Sequence, residues 1–325
     1  MMTTRRRMLQ QIFCFSAASM LGRKALAAEK LAVPVAGKLH TLMIGDWGWH
    51  NDLRPQTAVA RGMTAYMADK KILPQNMFLL GDNFYGPFKD GVNCKRWKEQ
   101  FSGIYLKKDF PFPFHAILGN HDYDDEPVTK LEAELAYQKA NPGSRWNMPA
   151  KWYRLELGPA EKPLVTVLAL DSNFKNGRIS LTPEERATQL AWFKTELEKP
   201  RTTPWLIVIG HHPLYSNGMH GDNKELINEW DPLFRQHKVH GYFCGHDHDL
   251  QHIEFEDHPT SFVISGGGGA RLREPVQEHG PFAKAVYGFT HLEADEQTLV
   301  VRHIDANRNI LHSFEKKTDG TWRVI

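Results

Sequence analysis

Five short stretches of the sequence carry side chains able to bind cations or move protons, and each begins at a glycine. They are Gly45-Asp46-Trp47-Gly48, Gly81-Asp82-Asn83-Phe84-Tyr85, Gly119-Asn120-His121-Asp122, Gly210-His211-His212-Pro213 and Gly245-His246-Asp247-His248. Asp46 and Asp82 offer hard anionic oxygen, while Asn120 and His211 offer neutral donors. Such a mixed set suits Fe, Mn or Zn better than Ca or Mg. His246 and His248, two residues apart, can reach two neighbouring metal ions from one turn. A single Gly-Asp after a strand is an ordinary turn, and a single Asn-His is an ordinary capped loop. Five such clusters in series, the last containing His-x-His, form a specific pattern. In the fourth cluster either His211 or His212 can be the donor. The 17 histidines of the chain point the same way.

The elements that must position these side chains are legible as apolar runs. Residues 42–44, 77–80, 116–118, 206–209 and 242–244 each lead straight into the glycine of a cluster. Runs of that length bounded by Gly predict buried strands. Residues 57–69 have helical character. Thr182-Pro183-Glu184-Glu185 predicts a helix start, with a Thr cap, Pro first and Glu third; Leu190, Phe193 and Leu197 then recur at helical spacing. Strands alternating with helices predict the α/β class, in which ligands gather beyond the carboxyl ends of the strands. Farther on, residues 261–264, 289–294, 298–303 and 310–314 predict strands expected to complete a second, mixed sheet against the first. Gly266 to Gly269 lacks the Lys and Ser/Thr of a nucleotide loop and reads as a flexible turn beside the site.

A net charge of +2 without a clustered basic stripe argues against nucleic acid as a partner. Arg5, Arg6 and Arg7 precede an apolar run at 12–21, and Ala25-Leu26-Ala27 has the small-x-small form of a cleavage site. Residues 1–27 therefore predict an export signal and no stable membrane anchor, the run being too short to span a bilayer. Thr4-Arg5-Arg6-Arg7-Met8-Leu9 resembles a twin-arginine signal, which makes the twin-arginine export machinery the expected partner and the periplasm or the exterior the expected location. A plain secretion signal is the alternative. Residues 28–325 are expected to form one catalytic domain, with a formal charge of −3 once the five basic residues of 1–27 are removed. Cys94 and Cys244 make neither a disulfide framework nor a Cys-x-x-Cys zinc site, and Cys244 reads as a buried core residue.

Taken together, the five clusters resemble the signature of the metallophosphoesterases. Tyr85, three residues after Asp82, narrows the resemblance to purple acid phosphatases of the small, tartrate-resistant type. Arg145-Trp146-Asn147 and the run from Gly245 to Gln251 support it, and it extends from about Leu39 to Gly269. The resemblance implies a four-layer α-β-β-α sandwich with two mixed β-sheets flanked by helices. It also implies an acid phosphatase in which a metal-bound hydroxide, at a dinuclear centre of Fe(III) and a divalent ion, attacks phosphate monoesters. Asp46, Tyr85 and His248 would bind Fe(III). Asn120, His211 and His246 would bind the divalent ion, which is Fe, Zn or Mn. Asp82 would bridge the two.

By the same resemblance the donor follows Gly directly, which selects His211 and leaves His212 as a pocket wall or surface residue. His121 and His220 would serve the leaving group, and Asp122 would either orient His121 or cap a turn. Asp171 receives no metal and reads as structural. Residues 173–181 are short and lack the cysteine pair of mammalian relatives, which implies no proteolytic control there. The short stretch before Asp46 leaves no room for a plant-type N-terminal β domain and favours a monomer acting on small phosphorylated substrates. Two alternatives stand: a phosphodiesterase of this scaffold acting on nucleotides or lipid headgroups, which Tyr85 argues against, and a non-catalytic metal- or phosphate-binding protein.

Overall fold

Four of the five apolar runs ahead of the clusters form strands in the computed structural model of the protein, which describes residues 37–124, 129–174 and 181–325; the third, 116–118, only begins at the end of one, which is Phe114–Ala116. The expected export segment 1–27 and most of the 173–181 stretch lie outside the described residues. Strands β1 (Leu39–Ile44), β2 (Asn76–Leu79), β3 (Phe114–Ala116) and β4 (Trp146–Asn147) run parallel, side by side. A second sheet follows from β5 (Tyr153–Leu157), β6 (Val165–Ala169), β7 (Trp205–Ile209), β8 (Gly241–Cys244), β9 (Leu250–Ile253), β10 (Ser261–Ser265) and β11 (Phe282–Lys284). Its order is β11-β9-β10-β8-β7-β6-β5, parallel through β10, β8, β7 and β6 and antiparallel at both edges.

The strands from residue 261 onward do not all complete this second sheet; of those expected there, β10 alone does. β12 (Gly288–Ala294), β13 (Thr298–Asp305), β14 (Ile310–Lys317) and β15 (Trp322–Val324) join the first sheet instead, giving the order β15-β14-β13-β12-β1-β2-β3-β4. The reason lies at β1. One of its edges pairs with β2, and the other would expose a row of unpaired backbone groups in the interior. β12 covers that edge in antiparallel register, from Leu39 opposite Ala294 to Met43 opposite Thr290.

Four helices flank the sheets: α1 (Arg54–Lys70), α2 (Thr129–Ala140), α3 (Pro183–Glu198) and α4 (Lys224–His237). The pleat sorts the second sheet's side chains by parity. Val165, Val167, Ile207, Ile209 and Phe243 join the core shared with the first sheet, whereas Leu168, Leu206, Val208 and Tyr242 pack with Phe193 of α3 and Trp230 and Phe234 of α4. On the far side, α1 buries Val59, Met63 and Tyr66 against the first sheet, and the Trp146 indole in β4 donates to Glu134 of α2. The layers are therefore α-β-β-α, as expected. Cys244 is buried and unpaired, also as expected. Among the described residues no helix is long and apolar enough to cross a membrane.

Helix α3 starts where its sequence says it should. The Thr182 hydroxyl accepts from the Glu185 amide at 3.1 Å, and the Glu185 carboxylate accepts from the Thr182 amide at 3.0 Å. Thr182→Ala removes half of this reciprocal cap and is expected to lower the unfolding free energy by about 1 kcal/mol, read from the urea midpoint at fixed metal content.

Candidate metal centre

The strand ends of both sheets meet at one seam. β1, β2 and β3 deliver Asp46, then Asp82 with Tyr85, then Asn120; β7 and β8 deliver His211, then His246 with His248. Backbone bonds lock the tips together: Gly45 N to Ser265 O at 2.7 Å, Asp46 N to Gly81 O at 3.1 Å and Gly245 N to His211 O at 3.0 Å. Asp46, Asp82 and His246 sit at φ of 57°, 52° and 70°. This left-handed region is rare outside glycine, although Asp and His are enriched there. It costs on the order of 1–3 kcal/mol per residue and persists where the surroundings dictate it. Gly119 shows how tight the packing is, because a Cβ there would stand 2.2 Å from Asp82 Oδ1.

Seven donors fall into two groups. In the first, the Tyr85 hydroxyl lies 3.2 Å from Asp46 Oδ1 and 3.2 Å from His248 Nε2, with His248 Nε2 3.5 Å from Asp46 Oδ1. In the second, Asn120 Oδ1 lies 3.2 Å from His211 Nε2 and 3.0 Å from His246 Nδ1, and those two nitrogens are 3.3 Å apart. Asp82 bears on both groups: it lies 3.3 Å from His211 Nε2, and its charge helps push up the Tyr85 phenol. Carbonyl groups set two of the tautomers. His211 Nδ1 donates to Leu80 O at 2.8 Å and His248 Nδ1 to Arg271 O at 2.7 Å, so in each ring it is Nε2 that faces the centre, where a cation would take the place of any proton on it.

His212 also lies close to His211 and His246, but its Nδ1 pairs with the Ser172 hydroxyl at 2.8 Å. It is buried, so it is not a surface residue; it walls a cleft of about 340 Å³ together with His220 and His246. His211, whose free nitrogen meets both Asn120 and Asp82, is the better donor of the pair.

The electrostatics fit cations. Burial pushes the Asp46 carboxyl well up, and neighbouring Asp82 adds to the shift. Burial, Asp82 and Asp46 push the Tyr85 phenol up. Burial holds His246 far below its ordinary value and His248 down at about 4, which keeps both neutral and able to ligate. Burial opposes charge on His211 as well, yet Asp82 and Asp46 raise it to about 10. The carboxylates thus draw a proton onto the nearest imidazole. Among the described residues neither one pairs with a Lys or Arg. Two buried carboxylates, a phenol, an amide oxygen and three imidazoles make a donor set for two cations, oxygen-rich at one end and nitrogen-rich at the other.

The two expected proton donors flank this set. His121 lies against the Tyr85 ring, with centroids 4.3 Å apart, and its Nδ1 meets Asp124 Oδ2 at 2.5 Å. Asp124 in turn accepts from the buried Lys130 at 2.7 Å. Asp122 does not orient His121. It caps the turn, accepting from the amides of Gly119 and Phe84 at 2.8 and 3.0 Å. His220 stacks on His246 at 4.2 Å, donates through Nδ1 to Asp247 Oδ1 at 2.6 Å and accepts from the Arg273 guanidinium at 3.0 Å.

Asp124, Asp247 and Arg273 receive no role in the sequence reading. Of these, Asp247 had a visible signal, since it sits inside His-x-His. Asp171 accepts from the Tyr123 hydroxyl and the Asn173 amide, in line with a structural role. The Gly266 turn is packed rather than flexible: its amide donates to Asp249 O at 2.9 Å, and a Cβ would stand 1.9 Å from Asp247 O.

Known proteins resemble this chain in sequence and in fold. A family profile described as calcineurin-like phosphoesterase matches residues 39–250. Human tartrate-resistant acid phosphatase type 5 is 29% identical over 310 residues, covering 87% of this chain and 92% of that protein. Purple acid phosphatase 4 of Arabidopsis thaliana is 30% identical over 325 residues, covering 94% and 91%. Among solved structures, purple acid phosphatase PPD1 from yellow lupin (Lupinus luteus) seeds superposes with a TM-score of 0.65 at 18% identity, covering 88% of this chain and 55% of that one. GAP50, the anchor in the inner membrane complex of Plasmodium, superposes with a TM-score of 0.73 at 21% identity, covering 85% and 88%. At such identities the structural likeness is one of fold.

Asp82→Ala removes the carboxylate that bears on both donor groups. Bound metal is expected to fall from about two ions per chain to less than one, measured by plasma mass spectrometry on the desalted protein; two ions retained would refute a shared ligand.

Proposed function

Because the chain belongs to the calcineurin-like phosphoesterases, we propose that it is an acid phosphatase of the purple type, hydrolysing phosphate monoesters at a pair of metal ions. The observation that carries this reading is Tyr85, whose hydroxyl lies 3.2 Å from both Asp46 Oδ1 and His248 Nε2. A phenolate is a hard anion that favours Fe(III). In this proposal Asp46, Tyr85 and His248 hold Fe(III); Asn120, His211 and His246 hold a divalent ion of Fe, Zn or Mn; and Asp82 bridges them.

Ions held by these residues would supply Lewis acidity for activating water and for withdrawing charge from the phosphate oxygens. The chain's own residues do the rest. Three strand tips from one sheet and two from the other fix the donors, so little reorganisation is needed as charge develops. His121 and His220, one beside each donor group, are placed to hold a proton for the departing oxygen. Burial opposes charge on His121, but the bond to Asp124 and the charges of Asp82 and Asp124 raise it above its ordinary value, so it keeps its proton to higher pH. Export as a monomer through the twin-arginine machinery, to the periplasm or the exterior, belongs to the same proposal. It rests on the segment from Arg5 to Ala27.

Assays with p-nitrophenyl phosphate and its bis-ester test the reaction class. The monoester is expected to show a kcat/KM at least tenfold higher, and the reverse order would make the protein a diesterase. The protein is expected to absorb in the visible region through tyrosinate-to-iron charge transfer, and Tyr85→Phe should bleach that band with iron still bound. Asp124→Asn removes a group that raises His121. The alkaline limb of the kcat–pH profile is therefore expected to move to lower pH, since the protonated imidazole is lost earlier as pH rises.

A further inference from the structure

The segment after the glycine turn is stitched onto the metal centre and carries two arginines. Ala270 N donates to Asp46 O at 2.8 Å, Arg271 O accepts from His248 Nδ1 at 2.7 Å, and Arg273 N donates to His248 O at 3.3 Å. The position of Arg273 is thus set by two of the proposed ligands. Its guanidinium reaches His220 Nε2 at 3.0 Å, one imidazole away from His246. Its charge is also felt at His248. Among the described residues no carboxylate pairs with Arg271 or Arg273. Arg54, Arg154, Arg186, Arg235, Arg302, Arg308 and Arg323 pair with carboxylates; Arg96, Arg145 and Arg201 are spent on amide or carbonyl oxygens; Arg273 instead gives its bond to a histidine beside the centre.

The wall is rigid as well as charged. The Asn217 carbonyl accepts from the amides of Val276 and Gln277 at 2.7 and 3.1 Å, and its side chain donates to His279 O at 2.9 Å. The loop bearing His220 and the loop bearing Arg273 are thereby bound into one unit. Arg273 is partly exposed at the rim, and of its five guanidinium N–H groups one goes to His220. A partly desolvated arginine with no acidic partner, beside a phosphate site, is a receiver for a second anion, because its fork matches phosphate and carboxylate geometry.

We infer that Arg273 is a specificity residue which binds a second anionic group, phosphate or carboxylate, carried by the substrate beyond the phosphate that is cleaved. This rests on the monoesterase reading above. No side chain in the fourth and fifth clusters does this work: His211, His246 and His248 are spent on the centre, and His220 is held between Asp247 and Arg273.

The test compares the metal-loaded wild-type protein with Arg273→Ala and Arg273→Lys on p-nitrophenyl phosphate, inorganic pyrophosphate and phosphoenolpyruvate. The kcat/KM ratio of pyrophosphate or phosphoenolpyruvate to p-nitrophenyl phosphate is expected to fall at least tenfold in Arg273→Ala, mainly through KM, and to recover in part in Arg273→Lys. A fall confined to pyrophosphate identifies a second phosphate, and one confined to phosphoenolpyruvate a carboxylate. An unchanged ratio, whether from equal losses on all three substrates or from no loss on any, overturns the inference. Calorimetric titration of pyrophosphate and orthophosphate into both proteins reads the contact without turnover. Arg273→Ala should weaken pyrophosphate at least tenfold more than orthophosphate if the second anion is a phosphate, and equal weakening refutes a phosphate contact. A wild-type protein that binds pyrophosphate through Arg273 but cleaves none of the three substrates would sink the phosphatase reading while sparing this one.

Discussion

Two carboxylates, Asp46 and Asp82, lie side by side in the interior, 0% and 1% exposed, and the rest of the site is arranged around that fact. An ionised carboxylate in such a place costs several kcal/mol even after the protein relaxes. Backbone amides offset part of it: His246 N donates to Asp46 Oδ2 and His121 N to Asp82 Oδ1, each at 2.8 Å. A proton drawn onto His211 offsets more. The Asp46 carboxyl is nevertheless pushed far above its ordinary range, so the protein alone leaves the charge under-compensated. Cations in the centre would supply what is lacking, and their binding energy would add to the stability of the fold by mass action.

That coupling has a direction in the architecture. The oxygen donors Asp46, Asp82, Tyr85 and Asn120 follow strands of the first sheet; the nitrogen donors His211, His246 and His248 follow strands of the second. Each donor group mixes the two sources, so ions bound there would pin one sheet to the other at the end where the seam is otherwise made of loops. The left-handed backbone at Asp46, Asp82 and His246 is strain located at this same end. The buried core between the sheets holds it in place, with Phe243, Val263 and Ile209 on one side and Met43, Leu292 and Val301 on the other. A sandwich of this kind stores its strain where the chemistry is and its apolar burial elsewhere.

The parts legible in the sequence are those encoded locally. A short apolar run, a glycine and a polar cluster need no knowledge of the remaining chain; four of the five runs became strands, the run 116–118 follows directly on one, and the donors lie beyond all five strand ends. The Thr182 cap is local in the same sense. The assignment of strands to sheets is not local: β12 to β14 look like a meander that could finish either sheet, and the open edge of β1, more than two hundred residues earlier, decides the matter. Asp124 and Arg273 escaped for a related reason. They sit in irregular loops with no period to read, and their worth comes from contacts with His121 and His220 that exist only after folding. Asp122 misled because it is adjacent to His121 in sequence, while the turn that it caps points its carboxylate back at the amides of Gly119 and Phe84.

The two histidines beside the centre are not equivalent. Arginine stays protonated at any pH at which the protein folds, so the bond from Arg273 makes His220 Nε2 an acceptor, and the proton of that ring resides on Nδ1 against Asp247. In this arrangement His220 has no proton to give on its Nε2 side. His121 faces an anion instead, Asp124, whose own charge is compensated by Lys130; that environment favours the imidazolium. In the proposed reaction the ready proton therefore sits on His121. His220 could take up the role only when a substrate draws the guanidinium away from Nε2, and an anionic substituent on the leaving group is the kind of group that would do so. Substrate choice and proton supply would then be governed by one contact at the rim of the centre.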